Sequence, residues 1–425
     1  MGEFVPEKYL RRVIDERFEN QLNAFGAICL RGPKWCGKTT TASRYAKSRI
    51  LMQGKDAKAY LKAADTDLSL ILDGPTPRLI DEWQEYPQIW DSVRYEVDER
   101  NDVGQFILTG SSAPKEGSMK HSGAGRFGFL DMYPMSLFES GESNGTVSLR
   151  DLFSGTADLR GATTELTVRK LAECICRGGW PANLGLSQEI CRDRMAGYLK
   201  EIFEGEDFST GRYNKDVHLA ESIIRSYSRN ICTMASLQAI YRDVQNAGIA
   251  LSDDRFHAHI KALRNAYLIS DVPAWNPAIR SKSAIRASEK RNLTDPSIAA
   301  YYLGITPDNF IEDFNTFGFL FESMCIRDLK VYSSALRGDI SYYHDRYGLE
   351  ADAVIHLDDG RYALAEVKLG SREIDEGAMH LCRIEELVRE KGLKLPSFKM
   401  VLTGGNQAYM RSDGVAVVPI GCLRD

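Results

Sequence analysis

The sequence is poor in cysteine: nine in 425 residues, an odd number and too few for a disulfide scaffold of this length, as expected for reduced thiols. Cys174 and Cys176 stand one residue apart, and no C-x-x-C pair or His/Cys cluster has zinc spacing, which argues against structural zinc. No run approaches the ~18 apolar residues of a membrane span. The opening MGEFVPEKYLRRVIDERFEN is charged throughout and has no apolar signal region, so the expectation is a cytoplasmic protein with no membrane association. Charge of one sign is also missing: 54 basic residues stand against 59 acidic ones, a formal net charge of -5, so any nucleic-acid surface must be local. Internal repeats and low-complexity tracts are absent. What is present is 43% apolar residues, enough for several buried cores and, at this length, about three domains.

The spacing of Tyr9, Leu10, Val13, Ile14, Phe18 and Leu22 predicts one amphipathic helix before the first strand. From Phe25 to about Asp131 the short apolar runs AICL, KAYLKA, RLI and FILTG alternate with a helix from Gly37 and another around 88 to 100, which implies an α/β domain with a parallel sheet and crossover helices. Residues 140 to 165 are rich in Gly, Ser and Thr and read as a boundary. The stretch from 166 to about 310 reads mostly as helices. Within it, a helix at ASLQAIYRDVQ, a turn at Asn246-Ala247-Gly248, a helix from Ser252 to Arg264 and then YLISDV resemble a winged helix-turn-helix. From Asn309 the pattern is a helix, strands at 339 to 344, 351 to 357 and 361 to 369, a helix near 373 to 391 and the strand KMVLTG: α-β-β-β-α-β. The domains expected are therefore 1–150, 151–308 and 309–425.

Gly32-Pro33-Lys34-Trp35-Cys36-Gly37-Lys38-Thr39 satisfies G-x-x-x-x-G-K-[ST] between an apolar strand and a helix. Such a loop turns tightly at its glycines and aims backbone N–H groups at phosphate oxygens, helped by the positive end of the helix that follows. With Thr40 these residues are the expected ATP contacts; Lys38 reaches the β- and γ-phosphates and the Thr39 hydroxyl is a ligand for Mg²⁺. Cys36 fills space in this reading and carries no chemistry. RLIDE supplies Asp81 for the magnesium shell and Glu82 to orient or deprotonate the attacking water. Thr109, Ser111 and Ser112, at the end of QFILTGSS, stand where a γ-phosphate sensor or a plain turn would be. Arg126, in HSGAGRF, is a candidate to stabilise charge on the γ-phosphate, within the chain or across a subunit contact in a homo-oligomer.

Taken together, GPKWCGKTT at 32 to 40, LIDEWQ at 79 to 84, FILTGSS at 106 to 112, GRF at 125 to 127 with YPMSLFE, GGWP at 178 to 181, DPSIAAYYLG at 295 to 304, GFLFES at 318 to 323, LEADAVI and ALAEVKLG resemble a widespread prokaryotic family of AAA-type P-loop ATPases joined to a C-terminal domain of unknown function. The resemblance covers nearly the whole chain and implies ATP hydrolysis, with Lys38, Thr39, Asp81 and Glu82 at the nucleotide and Arg126 as a further site residue. Trp35-Cys36 departs from the smaller or polar residues of the family.

Asp352, followed by Glu366-Val367-Lys368, resembles the D…E-x-K signature of restriction-endonuclease-like folds, whose core has the element order inferred above. Strand alternation puts Glu366 and Lys368 on one face. Two carboxylates there can bind a second divalent ion, with Glu322 as a further ligand and Lys368 supporting the nucleophile. Between Arg280 and Arg291 lie five basic residues, Arg280, Lys282, Arg286, Lys290 and Arg291, against Glu289 alone, a candidate DNA-phosphate footprint. The expected function is an ATPase that couples nucleotide state to a winged-helix and nuclease-like module on DNA. The alternative is a nucleotide-gated binding or scaffold protein with an inactive nuclease fold.

Overall fold

The computed structural model describes residues 9–111, 123–205, 208, 210–211, 213–214, 216–275, 288–345 and 348–425. The chain forms two compact units: residues 1–133 with 265–267, and residues 134–264 with 268–425. Residues 151–264 and the C-terminal residues 309–425, separated in the sequence reading, thus share the second unit.

In the first unit, strands β1 (Ala27–Arg31), β2 (Ser48–Leu51), β3 (Arg78–Asp81), β4 (Phe106–Gly110) and β5 (Phe127–Asp131) make a parallel sheet of order β2-β3-β4-β1-β5. Both faces are covered, so the central strands read as unbroken apolar runs. Ala27 and Cys29 point into a core with Ile71, Trp83, Trp90 and Val93, while Ile28 and Leu30 point into one with Phe18, Ala42 and Leu79. KAYLKA lies in the Ala57–Thr66 helix, and the strand in this interval is Ser48–Leu51. Alanine, lysine and leucine are strong helix formers, and the run contains no β-branched residue. The leading helix is shorter than its apolar spacing predicts, Asp15–Leu22, because Asp15 turns back to accept the Arg12 N–H at 3.0 Å.

The second unit begins at Pro134, before the Gly/Ser/Thr-rich stretch rather than after it. Within that stretch, β6 (Val147–Ser148) runs into the Leu149–Ser154 helix, whose N–H at Asp151 is capped by the Ser148 hydroxyl and whose Leu149, Leu152 and Phe153 are buried. Among the described residues six α-helices follow: Val168–Arg177, Gln188–Glu204, Val217–Arg229, Leu237–Asn246, Asp253–Asn265 and Pro296–Leu303. Antiparallel bridges join Ile269 to Leu293 and Val272 to Lys290.

The 22-residue Phe314–Ala335 helix then precedes β7 (Gly338–His344), β8 (Glu350–Leu357) and β9 (Tyr362–Lys368). The Ile374–Glu390 helix crosses over to β10 (Lys399–Thr403), and β11 (Tyr409–Met410) and β12 (Val415–Pro419) complete a mixed sheet of order β11-β12-β10-β9-β8-β7. The α-β-β-β-α-β order is present, extended by two strands the sequence reading did not include. β13 (Leu423–Arg424) leaves this sheet and pairs in parallel with β6. Among the described residues no helix is long and apolar enough to cross a membrane.

Candidate nucleotide site

A parallel sheet collects functional groups at the carboxyl ends of its strands, where the chain turns into the next helix. β1 ends at Arg31, and residues 32–37 lead into the Lys38–Tyr45 helix. The loop depends on unusual backbone angles: φ is 149° at Gly32, 67° at Trp35 and 101° at Gly37. Gly32 has a second reason to be glycine, since a Cβ there would lie 2.1 Å from the Met132 carbonyl oxygen. Wound this way, the loop encloses Lys38, whose buried ammonium donates to the Gly32 and Pro33 carbonyls at 2.9 and 2.8 Å. Cys36 is buried, its thiol directed at the Met132 carbonyl oxygen 3.7 Å away, which agrees with a packing role. Trp35 is exposed. Lys34 and Thr40 are half-buried on either side of the turn.

β4 lies between β1 and β3, and Asp81 and Thr109 occupy matched positions of β3 and β4. The Asp81 Oδ1 accepts from Thr39 Oγ1 at 2.7 Å and from Thr109 Oγ1 at 2.5 Å, tying the loop helix to two strand ends. Burial raises the Asp81 carboxyl above its ordinary range, and the Glu82 charge adds to the effect. The hydroxyl hydrogen bonds and the Lys38 charge offset this only in part. A divalent cation would favour the ionised form, and the donor set of one carboxylate and hydroxyl oxygens suits Mg²⁺, which retains several waters. The residues present therefore fit the ion.

Glu82 follows β3 in the left-handed region, with φ 54° and ψ 48°, uncommon for a residue with a Cβ. Its Oε2 accepts from the Ser111 N–H at 3.2 Å, from the Ser111 hydroxyl at 2.7 Å and from Gln84 Nε2 at 2.5 Å. Asp81 with Thr39 and Thr109, and the adjacent Glu82 with Ser111 and Gln84, thus form two hydrogen-bonded groups at neighbouring strand ends. Ser112 lies outside the described residues.

Arg126 does not join them. It immediately precedes β5, and its carbonyl accepts from the Ala27 N–H at the start of β1. The register pairs Phe127 with Ala27 and Asp131 with Arg31, so Arg126 sits at the opposite end of the strands from the loop, roughly 20 Å away along the sheet at ~3.3 Å per residue. Its exposed guanidinium pairs with Asp98 at 2.7 Å. A role within its own chain is therefore corrected.

One residue escaped the sequence reading. Arg12, buried in the lead-in segment, donates to the Cys36 carbonyl at 2.7 Å and to the Tyr133 carbonyl at 2.9 Å, gripping the phosphate loop from behind. Its only signal was a basic residue inside an apolar stripe.

In the second unit, Glu366 and Lys368 do share a face, with Lys368 Nζ 3.1 Å from Glu366 Oε2. Asp352 lies near them on β8, its Oδ2 accepting from the Val367 N–H at 2.9 Å. The footprint reading fails at two of its members. Lys290 and Arg291 are buried; Lys290 pairs with Glu322 and Asp352, and Arg291 with Asp271 at 2.7 Å, so neither is available to an external phosphate. Arg280, Lys282 and Arg286 lie outside the described residues. The divalent ion expected at Asp352 and Glu366 is corrected too: Lys290 Nζ stands 2.7 Å from Glu322 and 2.9 Å from Asp352, and among the described residues no group of three His, Cys, Asp or Glu side chains is arranged to hold a metal.

Residues 24–140 match the family described as AAA domain, residues 168–309 a domain of unknown function (DUF8612), and residues 317–423 another (DUF4143). No curated protein matches the chain. Among solved structures, a Walker-type ATPase of Pyrococcus abyssi is similar at 12% identity and TM-score 0.44, over 71% of this chain and 98% of its own. The RuvB Holliday junction branch migration motor of Thermotoga maritima is similar at 16% identity and TM-score 0.28, over 64% and 91%. With its phosphate loop, five-stranded parallel sheet and match over residues 24–140, the first unit carries a P-loop domain of the AAA type.

Proposed function

We propose that the first unit binds ATP with Mg²⁺ and hydrolyses it. The observation that carries this reading is the Thr39–Asp81–Thr109 network beside the buried Lys38 ammonium, which joins the loop helix to two strand ends through oxygens suited to Mg²⁺. Lys38 holds the terminal phosphates, Thr39 and Asp81 hold the ion, and the ion supplies charge neutralisation at the phosphates. Glu82 orients or deprotonates the attacking water once its carboxylate turns from Ser111, so Ser111 acts as its gate. Arg126, too far from the loop of its own chain, would serve only across a contact between copies.

Replacing Lys38 by alanine is expected to abolish binding of a fluorescent ATP analogue. Unchanged affinity would remove the assignment.

For the second unit, coupling of nucleotide state to a DNA-acting winged helix rests on the Leu237–Asn246 and Asp253–Asn265 helices and the two bridges after them. The other reading, a nucleotide-gated binding protein without nuclease activity, is favoured by the ammonium of Lys290 in the carboxylate cluster. Steady-state turnover with and without DNA separates the two: stimulation supports the first, and its absence the second.

A further inference from the structure

Three carboxylates converge inside the second unit: Glu322 on the Phe314–Ala335 helix, Asp352 on β8 and Glu366 on β9. Such a cluster cannot remain charged in a dry interior without cations. Glu366 is fully buried, and neither carboxylate oxygen receives a well-directed hydrogen bond, although Lys368 Nζ lies 3.1 Å away and His380 Nδ1 3.7 Å away. Gly377 lets the Ile374–Glu390 helix come this close, since a Cβ there would lie 3.3 Å from Glu366 Cβ.

The charge facing Glu322 and Asp352 comes from elsewhere in the sequence. Lys290 reaches both carboxylates from the segment that follows the helical region. That segment is fastened along its length. Lys290 exchanges backbone hydrogen bonds with Val272 at 2.9 Å each way, Arg291 pairs with Asp271, and the Asn292 side-chain oxygen accepts from the Ser323 hydroxyl at 2.7 Å. On its other side, Trp275 donates its N–H to the Tyr342 carbonyl of β7 at 2.7 Å, and Tyr342 returns one to Pro273 at 2.9 Å. The backbone thus delivers the ammonium to a fixed point between two carboxylates.

We propose that Lys290 is an internal cation standing in for a divalent metal: it closes a latent metal site in the C-terminal sheet and latches the helical region to that sheet. The ammonium offsets one of the pair's two negative charges without an exchangeable ion, so this compensation persists in the presence of chelators. The arrangement is independent of the reading of the phosphate loop, because it uses none of that loop's residues.

The test is Mn²⁺ titration of the full-length, nucleotide-free protein, followed by loss of the free-ion paramagnetic resonance signal, in an Asp81→Asn background that removes metal held in the first unit. With Lys290 intact, no Mn²⁺ site dependent on Asp352 is expected. Adding Lys290→Ala should create one site at least tenfold tighter than any background binding, and Asp352→Asn should remove it again. Mn²⁺ should also raise the melting temperature of the Lys290→Ala protein and not that of its parent. Should Lys290→Ala fail to fold, Lys290→Ser, which removes the ammonium and keeps both carboxylates, serves in its place. Mn²⁺ binding that needs Asp352 while Lys290 is present would overturn the proposal, as would a folded variant lacking Lys290 that gains no site.

Discussion

Asp81→Asn is expected to make the protein more stable and less active at once. In the nucleotide-free state, burial disfavours the Asp81 charge, followed in size by the opposing hydrogen bonds from Thr109 and Thr39, and the carboxyl remains above its ordinary range. A carboxyl raised in the folded state binds protons more readily than in the unfolded chain, so its contribution to stability falls as pH rises past the unfolded value. At neutral pH the ionised group is therefore a net cost. Asparagine keeps the Oδ1 acceptor for both hydroxyls, at 2.7 and 2.5 Å, and removes the charge. A change of about 1 kcal/mol is the scale for relieving one such buried polar group, and for domains of this size that raises the melting temperature by about 2–8 °C. The same substitution removes the anionic ligand of the ion. The wild type should gain about 2.7 kcal/mol from MgATP at 100 times its dissociation constant, whereas the variant should gain much less and hydrolyse ATP about 10²-fold more slowly, about 2.7 kcal/mol in barrier. Differential scanning fluorimetry with and without MgATP, together with phosphate release, measures both. A nucleotide-free melting temperature lowered by several degrees, or turnover equal to wild type, would refute the reasoning.

Glu82→Gln should bind ATP normally and turn it over roughly 10²-fold more slowly, since the amide cannot accept the proton of water; turnover within a factor of two of wild type in a phosphate-release assay would exclude Glu82 as the base. Arg12→Ala leaves the Cys36 carbonyl without its buried partner and loosens the loop. Steady-state kinetics should show KM for ATP rising about tenfold, equivalent to about 1.4 kcal/mol, with kcat changed less; an unchanged KM would show that Arg12 serves only the fold. Lys330, whose ammonium donates to the Ser270 carbonyl and hydroxyl at 2.9 and 2.7 Å, is pushed down by burial to about 8. Between that value and 10.5 the unfolded chain holds the extra proton, so the stability advantage of wild type over Lys330→Met should grow as pH rises through this window. Urea unfolding at pH 7 and 10 measures it, and a difference that shrinks would contradict the burial of the ammonium.

The first unit was the more legible in the sequence because its chemistry is local. The loop is a contiguous run, and Asp81 and Thr109 each end an apolar strand, so parallel pairing alone brings them together. KAYLKA was misread because the short apolar run carries no period, and its lysines and alanines favour a helix once there is room for one. Arg126 was placed by adjacency to an apolar run, but in a parallel sheet the residue before a strand and the residue after it lie at opposite ends. In the second unit, the order of elements was visible and the electrostatics were not. Lys290 and Arg291 read as part of an exposed basic stretch because their partners Glu322, Asp352 and Asp271 are remote in sequence, and no charge pattern reveals which cations fold inward. Arg12 was hidden for the same reason.

The pairing of β13 with β6 bears on the order in which the protein assembles. The Ser143 hydroxyl donates to the Leu423 carbonyl across 280 positions, and the Ser148 hydroxyl to the Asp425 carbonyl. Closing a loop of that length costs of order 5 kcal/mol in chain entropy, about as much as a two-residue ladder and two hydroxyl hydrogen bonds return at about 1 kcal/mol each. The contact therefore gains little by forming first and is favoured once the mixed sheet has already brought the two segments near each other. During synthesis, nearly all of the P-loop unit has emerged before the first residue of the second unit, whereas residues 143 to 148 remain without their partners until residues 423 to 425 have left the ribosome. The P-loop unit is thus nearly complete in the nascent chain while Ser143 still waits for Leu423, 280 positions further on.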